Sequence, residues 1–120
     1  MTTREKQEIL DMRVVEQLVS HRRLGQNAFE RLVPVFLEEA HMLAEQMRCA
    51  VAASDPEGLR LTAHKLKGSA SVIGAAEVRN VAQEIMASSA GKGRSGAEIL
   101  QELEPALRRF QESAGNFNAR

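Results

Sequence analysis

Apolar residues recur along this chain at intervals of three and four, the spacing that gathers side chains on one face of an α-helix. No stretch alternates convincingly with period two, so no strand is expected. Ile9, Met12, Val15, Leu18 and Val19 mark a short first helix, broken near Leu24-Gly25-Gln26-Asn27. A long second helix carries Phe29, Leu32, Val33, Phe36, Ala40, Leu43, Met47 and Val51 on its inner side. Pro34 falls inside it and predicts a kink there, or a helix that begins at that point, because proline lacks a donor and clashes with the preceding turn. Asp55, Pro56 and Glu57 are a helix-start signal, with a capping carboxylate, a proline at the first helical position and an acid in the first turn. The third helix they open runs to about Ile73, and Gly74 separates it from a fourth with Val78, Val81, Ala82, Ile85 and Met86 inward.

Ser88 to Arg94 reads as a flexible, basic connection, and Ser95-Gly96-Ala97-Glu98 as a capping box. The box opens a fifth helix with Ile99, Leu100, Leu103, Leu107 and Phe110 inward; Pro105 predicts a bend in it, and Gly115 its end. Residues 116–120 are expected to fray. Amphipathic helices of similar length joined by short connections predict an all-α fold, an antiparallel up-and-down four-helix bundle with a short extra N-terminal helix. The whole chain, 1–120, is expected to be one domain with its core over about 9–115.

Composition narrows the function classes. A chain of 120 residues buries roughly two thirds of its unfolded surface, enough for a single core. Lys+Arg and Asp+Glu balance at 16 each, so no net field draws it to nucleic acid or anionic lipid. Without Trp or Tyr, and with three of its four Phe (Phe29, Phe36 and Phe110 but not Phe117) at helix-core spacing, it lacks a base-stacking platform. No apolar run approaches the roughly 18 residues that cross a bilayer, and the charged N-terminus lacks an apolar signal core. The single cysteine, Cys49, forms no internal disulfide and is expected as a half-buried filler of the second helix. These features predict a soluble, cytoplasmic, monomeric protein.

The candidate chemistry lies in the third helix. On a wheel of about 100° per residue, Leu59, Ala63, Leu66, Ala70 and Ile73 form an apolar stripe, and Arg60, His64, Lys67, Gly68 and Ser71 fall opposite. If the stripe is buried, His64 faces water. An imidazole in water titrates near about 6.5, so a large fraction is neutral at neutral pH, with a lone pair free to attack phosphorus. Lys67, one turn on, is positioned to offset the charge of about −2 that a phosphoryl group brings. Gly68 costs about 1 kcal/mol of helix stability relative to alanine, and close approach of a partner beside the imidazole explains it. Lys65 lies about 100° round from His64 and is given a peripheral electrostatic role.

A lone histidine or lysine on a helix is ordinarily a solvated side chain; the grouping of His64, Lys67 and Gly68 argues otherwise. Ser69 falls toward the core side and is expected to bond the backbone one turn earlier, and Gly74 reads as a helix-end or packing glycine. His21 and His41 read as surface histidines, and with His64 and Cys49 they show no metal-ligand spacing. No glycine-rich phosphate loop or Ser–His–Asp grouping appears, so ATP binding and autophosphorylation are not expected.

Ala63-His64-Lys65-Leu66-Lys67-Gly68-Ser69-Ala70, followed by Ile73-Gly74, resembles the signature of histidine-containing phosphotransfer (HPt) domains of two-component phosphorelays. The resemblance implies a helical bundle in which His64 accepts a phosphoryl group from a receiver-domain aspartyl phosphate and passes it to another receiver aspartate. It also implies that Lys67 neutralises the phosphate and that Gly68 lets the receiver dock. The docking surface is expected around Arg60, Leu61, Lys65, Gly68 and Ser71. Partners are then response-regulator receiver domains, those of hybrid histidine kinases among them. No cofactor is expected on this chain, with Mg²⁺ required only by the receiver. Such a protein is a phosphocarrier and not a kinase. Two other readings share the motif: a phosphotransfer segment excised from a hybrid or chemotaxis-type kinase, and a helical adaptor that binds a response regulator without transfer.

Overall fold

Each helix begins where a side chain can satisfy its unpaired amides. The computed structural model describes residues 8–88 and 93–117. Helix α1 spans Met12–Ser20 behind Asp11, whose carboxylate accepts from the Arg13 amide. Helix α2 spans Ala28–Ala52 behind a reciprocal capping box, in which Asn27 accepts from the Glu30 amide at 2.7 Å and Glu30 accepts from the Asn27 amide at 3.0 Å. The box sets the start ahead of Pro34, so the proline lies inside the helix and does not open it. Helix α3 spans Pro56–Ile73, with Asp55 accepting from the Gly58 amide at 2.9 Å. Helix α4 spans Ala76–Ser88, and α5, Gly96–Leu100, starts with the expected Ser95–Glu98 capping box.

The fifth helix differs from expectation. It ends at Leu100, and after a turn at Gln101–Glu102 a separate helix α6 spans Leu103–Ala114. Pro105 is the reason: it has no N–H to give to the Gln101 carbonyl, and it is tolerated only in the first turn, where it now sits. Gly115 follows as the cap. A 3₁₀ turn, Gly115–Phe117, then folds back, with the Phe117 ring 5.9 Å from Phe29 and its carbonyl accepting from Asn27 Nδ2 at 3.1 Å. Residues 116 and 117 are therefore anchored and do not fray; residues 118–120, and 89–92 of the expected flexible connection, lie outside the described residues.

The break after α1 contains a small antiparallel ladder, β1 (Arg22–Arg23) against β2 (Gln26–Asn27), joined through Leu24 and Gly25 at φ 54° and 81°. Two residues per strand are too few to show as alternation. Helix α1 is stapled to the α3–α4 corner through Asp11 N donating to Gly74 O at 2.8 Å. Gly74 there adopts φ 79°, and a Cβ on it would come within 3.1 Å of both Asp11 O and Val15 Cγ2. The αL cap and the close approach of α1 thus both require glycine.

Helix α3 packs against α2 and α4, α4 packs against α5 and α6, and those two return to α2. The core contains every residue expected inward on α3, Val78, Val81, Ala82 and Ile85 of α4, and Ile99, Leu100, Leu103, Leu107 and Phe110 beyond. On α2, Phe29, Phe36, Ala40, Leu43 and Met47 are buried, whereas Leu32 is exposed. Cys49, too, is exposed and not a filler, its sulfur turned to Glu45 Oε2 at 4.0 Å. Among charged residues, Glu77 of α4 is buried, and Arg109 of α6 donates to it through Nη2 at 2.6 Å and Nε at 2.9 Å. The carboxylate holds the guanidinium above its ordinary pKa and ties α4 to α6. No described helix is long and apolar enough to cross a membrane.

Candidate functional site

The candidate site is the outer face of α3. Its apolar stripe of Leu59, Ala63, Leu66, Ala70 and Ile73 is buried without exception, and that fixes the helix about its own axis. Rotation by the helical period then carries Leu61, His64, Lys65, Gly68, Ser71 and Val72 outward, and each of them is exposed. His64 therefore presents its ring to solvent from a regular helix, with exposed Gly68 one turn on. A Cβ built on Gly68 meets no atom within 4 Å, so the open surface beside the imidazole is not a requirement of this chain's own packing.

The cations flanking the ring differ in setting. Lys67 and Arg60 are half-buried, toward the edge of the helix, whereas Lys65 is exposed. Arg60 is engaged with Glu57, its Nε donating to Oε1 at 3.0 Å and Nη2 to Oε2 at 2.6 Å. That hydrogen-bonded pair raises the Arg60 pKa and lowers that of Glu57. Arg60 thus reaches a partner only at the expense of a bond it already makes. Lys67 and Lys65 are in no ion pair among the described residues, so both ammonium groups are open to an incoming anion, with Lys67 one turn on from His64. The Ser71 hydroxyl donates to the Lys67 carbonyl one turn earlier at 2.9 Å, the kind of bond expected of Ser69.

Ser69 instead bonds across the gap to α2, its hydroxyl donating to Glu39 Oε1 at 2.7 Å. The expected backbone bond is not made because the Ser69 side chain points along the α2–α3 seam, where a carboxylate is in reach. Beside this pair lies a groove of about 180 Å³ lined by Leu32, Val35, Phe36, Glu39 and Val72. Val35 is 62% exposed and Val72 68%. The helix-period count misses this groove, because it is built from two segments separated by more than thirty residues. One signal was present: Leu32 and Val35, an i, i+3 apolar pair on a face with Glu39 that does not need both for the core.

His21 and His41 are on the surface, away from any such grouping. The His21 Nδ1 lies 2.8 Å from the Gln17 carbonyl, and the His41 Nδ1 lies 3.4 Å from Glu104 Oε2. Among the described residues no set of three or more His, Cys, Asp or Glu could hold a metal.

No curated protein matches this chain. The family model described as "Hpt domain" matches residues 31–113, from the second turn of α2 almost to the end of α6. The match covers more than half of the chain and contains the whole face built around His64, so the chain belongs to the Hpt domain family.

Proposed function

We propose that this chain is a phosphorelay intermediate that takes a phosphoryl group onto His64 from a receiver aspartyl phosphate and hands it to a second receiver aspartate. Hpt domains are phosphocarrier modules of two-component signalling, without kinase activity of their own, that interact with receiver domains. The observation that carries the assignment to His64 is its exposed position on a helix whose opposite stripe is wholly buried, with Lys67, in no ion pair among the described residues, one turn on and bare backbone at Gly68.

In the forward step a ring nitrogen of neutral His64 attacks phosphorus, the N–P bond forms, and the P–O bond to the receiver carboxylate breaks. The carboxylate leaves with the electron pair, and the ring proton passes to solvent. The return step reverses these bonds on a second receiver. Transfer of this kind depends on positioning and charge neutralisation, which a rigid α3 and the Lys67 ammonium supply. Any divalent cation belongs to the receiver, and this chain carries no cofactor. The supporting scaffold is read as one domain, an antiparallel up-and-down bundle of α2, α3, α4 and the α5–α6 pair, with α1 as an accessory. The protein acts in the cytoplasm as a monomer, and Arg60, Leu61, Lys65, Gly68 and Ser71 border the docked receiver.

Incubation with a phosphorylated receiver is the test: an alkali-stable, acid-labile label on the wild-type chain is expected, and its absence with every receiver of the source organism rejects the reading. Lys67→Ala is expected to slow transfer roughly 10–100-fold with the helical content intact; unaltered single-turnover kinetics remove the lysine from the mechanism. Gly68→Gln leaves the fold as stable or about 0.5 kcal/mol more so, because the new side chain points into open space on a helix. Its receiver binding, followed by calorimetry, is expected to fall to background, and undiminished binding contradicts close approach at that position.

A further inference from the structure

We propose that Glu39, held in place by Ser69, selects among receivers by pairing with a basic side chain on the element that docks into the α2–α3 groove. The inference rests on the reading of this chain as a receiver-docking phosphocarrier and adds the chemistry of the partner. Val72 lies eight residues beyond His64 on α3, about 12 Å along the axis. A partner that buries about 800 Å² of this chain, centred on His64, reaches roughly 16 Å in every direction. The α3 wall of the groove, at Val72, therefore lies within the axial reach of a receiver of ordinary footprint that engages the imidazole.

What the groove asks of that receiver is set by its lining. Leu32, Val35 and Val72 present exposed apolar surface, and Phe36 forms the floor. Burial of that surface favours an aliphatic or aromatic side chain. Glu39 places a full negative charge at the rim, and no lysine or arginine of the chain pairs with it among the described residues. The Ser69 hydroxyl engages Oε1 at 2.7 Å and leaves Oε2 without a hydrogen-bond partner among the described residues. A carboxylate already held across the seam has less side-chain freedom to lose on binding than a freely rotating glutamate. Its open oxygen is thus a preset acceptor beside an apolar socket. A receiver with a lysine or arginine next to its apolar anchor gains a charge-assisted bond, and one with an acid there meets repulsion. Discrimination comes from both effects.

The experiment measures transfer to the full chain over a range of receiver concentrations, for wild type, Glu39→Lys and Ser69→Ala. Phosphoramidate, a small phosphoryl donor with no docking surface, labels His64 as a receiver-free control. With the receivers that label the wild type fastest, Glu39→Lys is expected to raise the half-saturating receiver concentration at least tenfold and leave the limiting rate and the phosphoramidate reaction unchanged. Ser69→Ala is expected to give a two- to threefold rise. Added salt narrows the wild-type advantage, and a lysine-to-glutamate change on the receiver's docking element restores the Glu39→Lys chain. Equal half-saturation for Glu39→Lys and wild type overturns the proposal, as does a matching loss in the phosphoramidate reaction, which would mark a general disturbance of α3. If phosphoramidate labels the wild type but no receiver binds or labels it, the phosphocarrier reading fails, and this inference falls with it.

Discussion

Replacement of His64 by glutamine is expected to remove all alkali-stable, acid-labile label from the protein and leave its fold unchanged. Glutamine is a good helix former of similar reach, and an exposed substitution of this kind shifts stability by less than about 0.5 kcal/mol. The amide has no basic lone pair with which to attack phosphorus, so the loss is complete and not graded. Two internal controls sharpen the result. His21 and His41 are also exposed, yet neither lies one turn before a lysine, and His41 stands 3.4 Å from the carboxylate of Glu104, a neighbour that repels an incoming phosphoryl group. His21→Gln and His41→Gln are therefore expected to keep the full wild-type label. Label retained in His64→Gln and lost in either of the others moves the chemistry to another side chain.

A carrier of this design separates its labour between residues of different setting. The stripe beneath α3 fixes the direction of the imidazole; in the proposed transfer Lys67 supplies charge and the bare surface at Gly68 admits the donor. None of these tasks needs a cavity or a bound ion. Under the proposed function an exposed helix face suffices, because a docking receiver encloses the reacting atoms and the complex, not this chain alone, excludes water.

The parts of the fold that follow from local rules were legible in the sequence. The Asp55–Pro56–Glu57 start, the Gly74 end and the buried stripe of α3 depend only on capping chemistry and a period of 3.6, and all appear as the spacing predicts. That is why the outward direction of His64 could be read before any coordinates. Features decided by distant segments were not legible. Nothing within one turn of Ser69 marks Glu39, thirty residues earlier, as its partner. Leu32 satisfies the helical count for the core yet lies exposed, since the α2–α3 seam and not the wheel decides what is covered. The pairing of buried Glu77 with exposed Arg109 joins two helices across 32 positions and leaves no local trace. Pro105 marks a disturbance in the sequence, but whether it bends one helix or begins another depends on the turn at Gln101–Glu102 that precedes it.

Truncation of Phe110 to alanine is expected to cost about 3–5 kcal/mol, the largest stability effect of any single change considered for this chain. The ring is buried in α6, with its centroid 5.1 Å from Phe36 and 6.2 Å from Phe29, both in edge-to-face geometry. Its removal forfeits apolar burial, leaves a cavity between α2 and α6, and breaks two aromatic pairs at once. Against a total of about 5–15 kcal/mol for a domain of this kind, the loss lowers the thermal midpoint by roughly 10 °C or more. Urea unfolding of wild type and Phe110→Ala, with the same slope in both, gives the difference directly. A loss below about 1.5 kcal/mol shows that the site collapses to refill the space, and that this aromatic cluster is not the keystone of the α2–α6 contact. Phe110 does not itself line the groove or the outer face of α3, although its ring packs on Phe36, which forms the floor of the groove. At a temperature where the variant is still folded, its transfer rate per folded molecule is expected to equal that of wild type, and a slower rate there would mean that the packing of α2 on α6 also sets the position of the receiver.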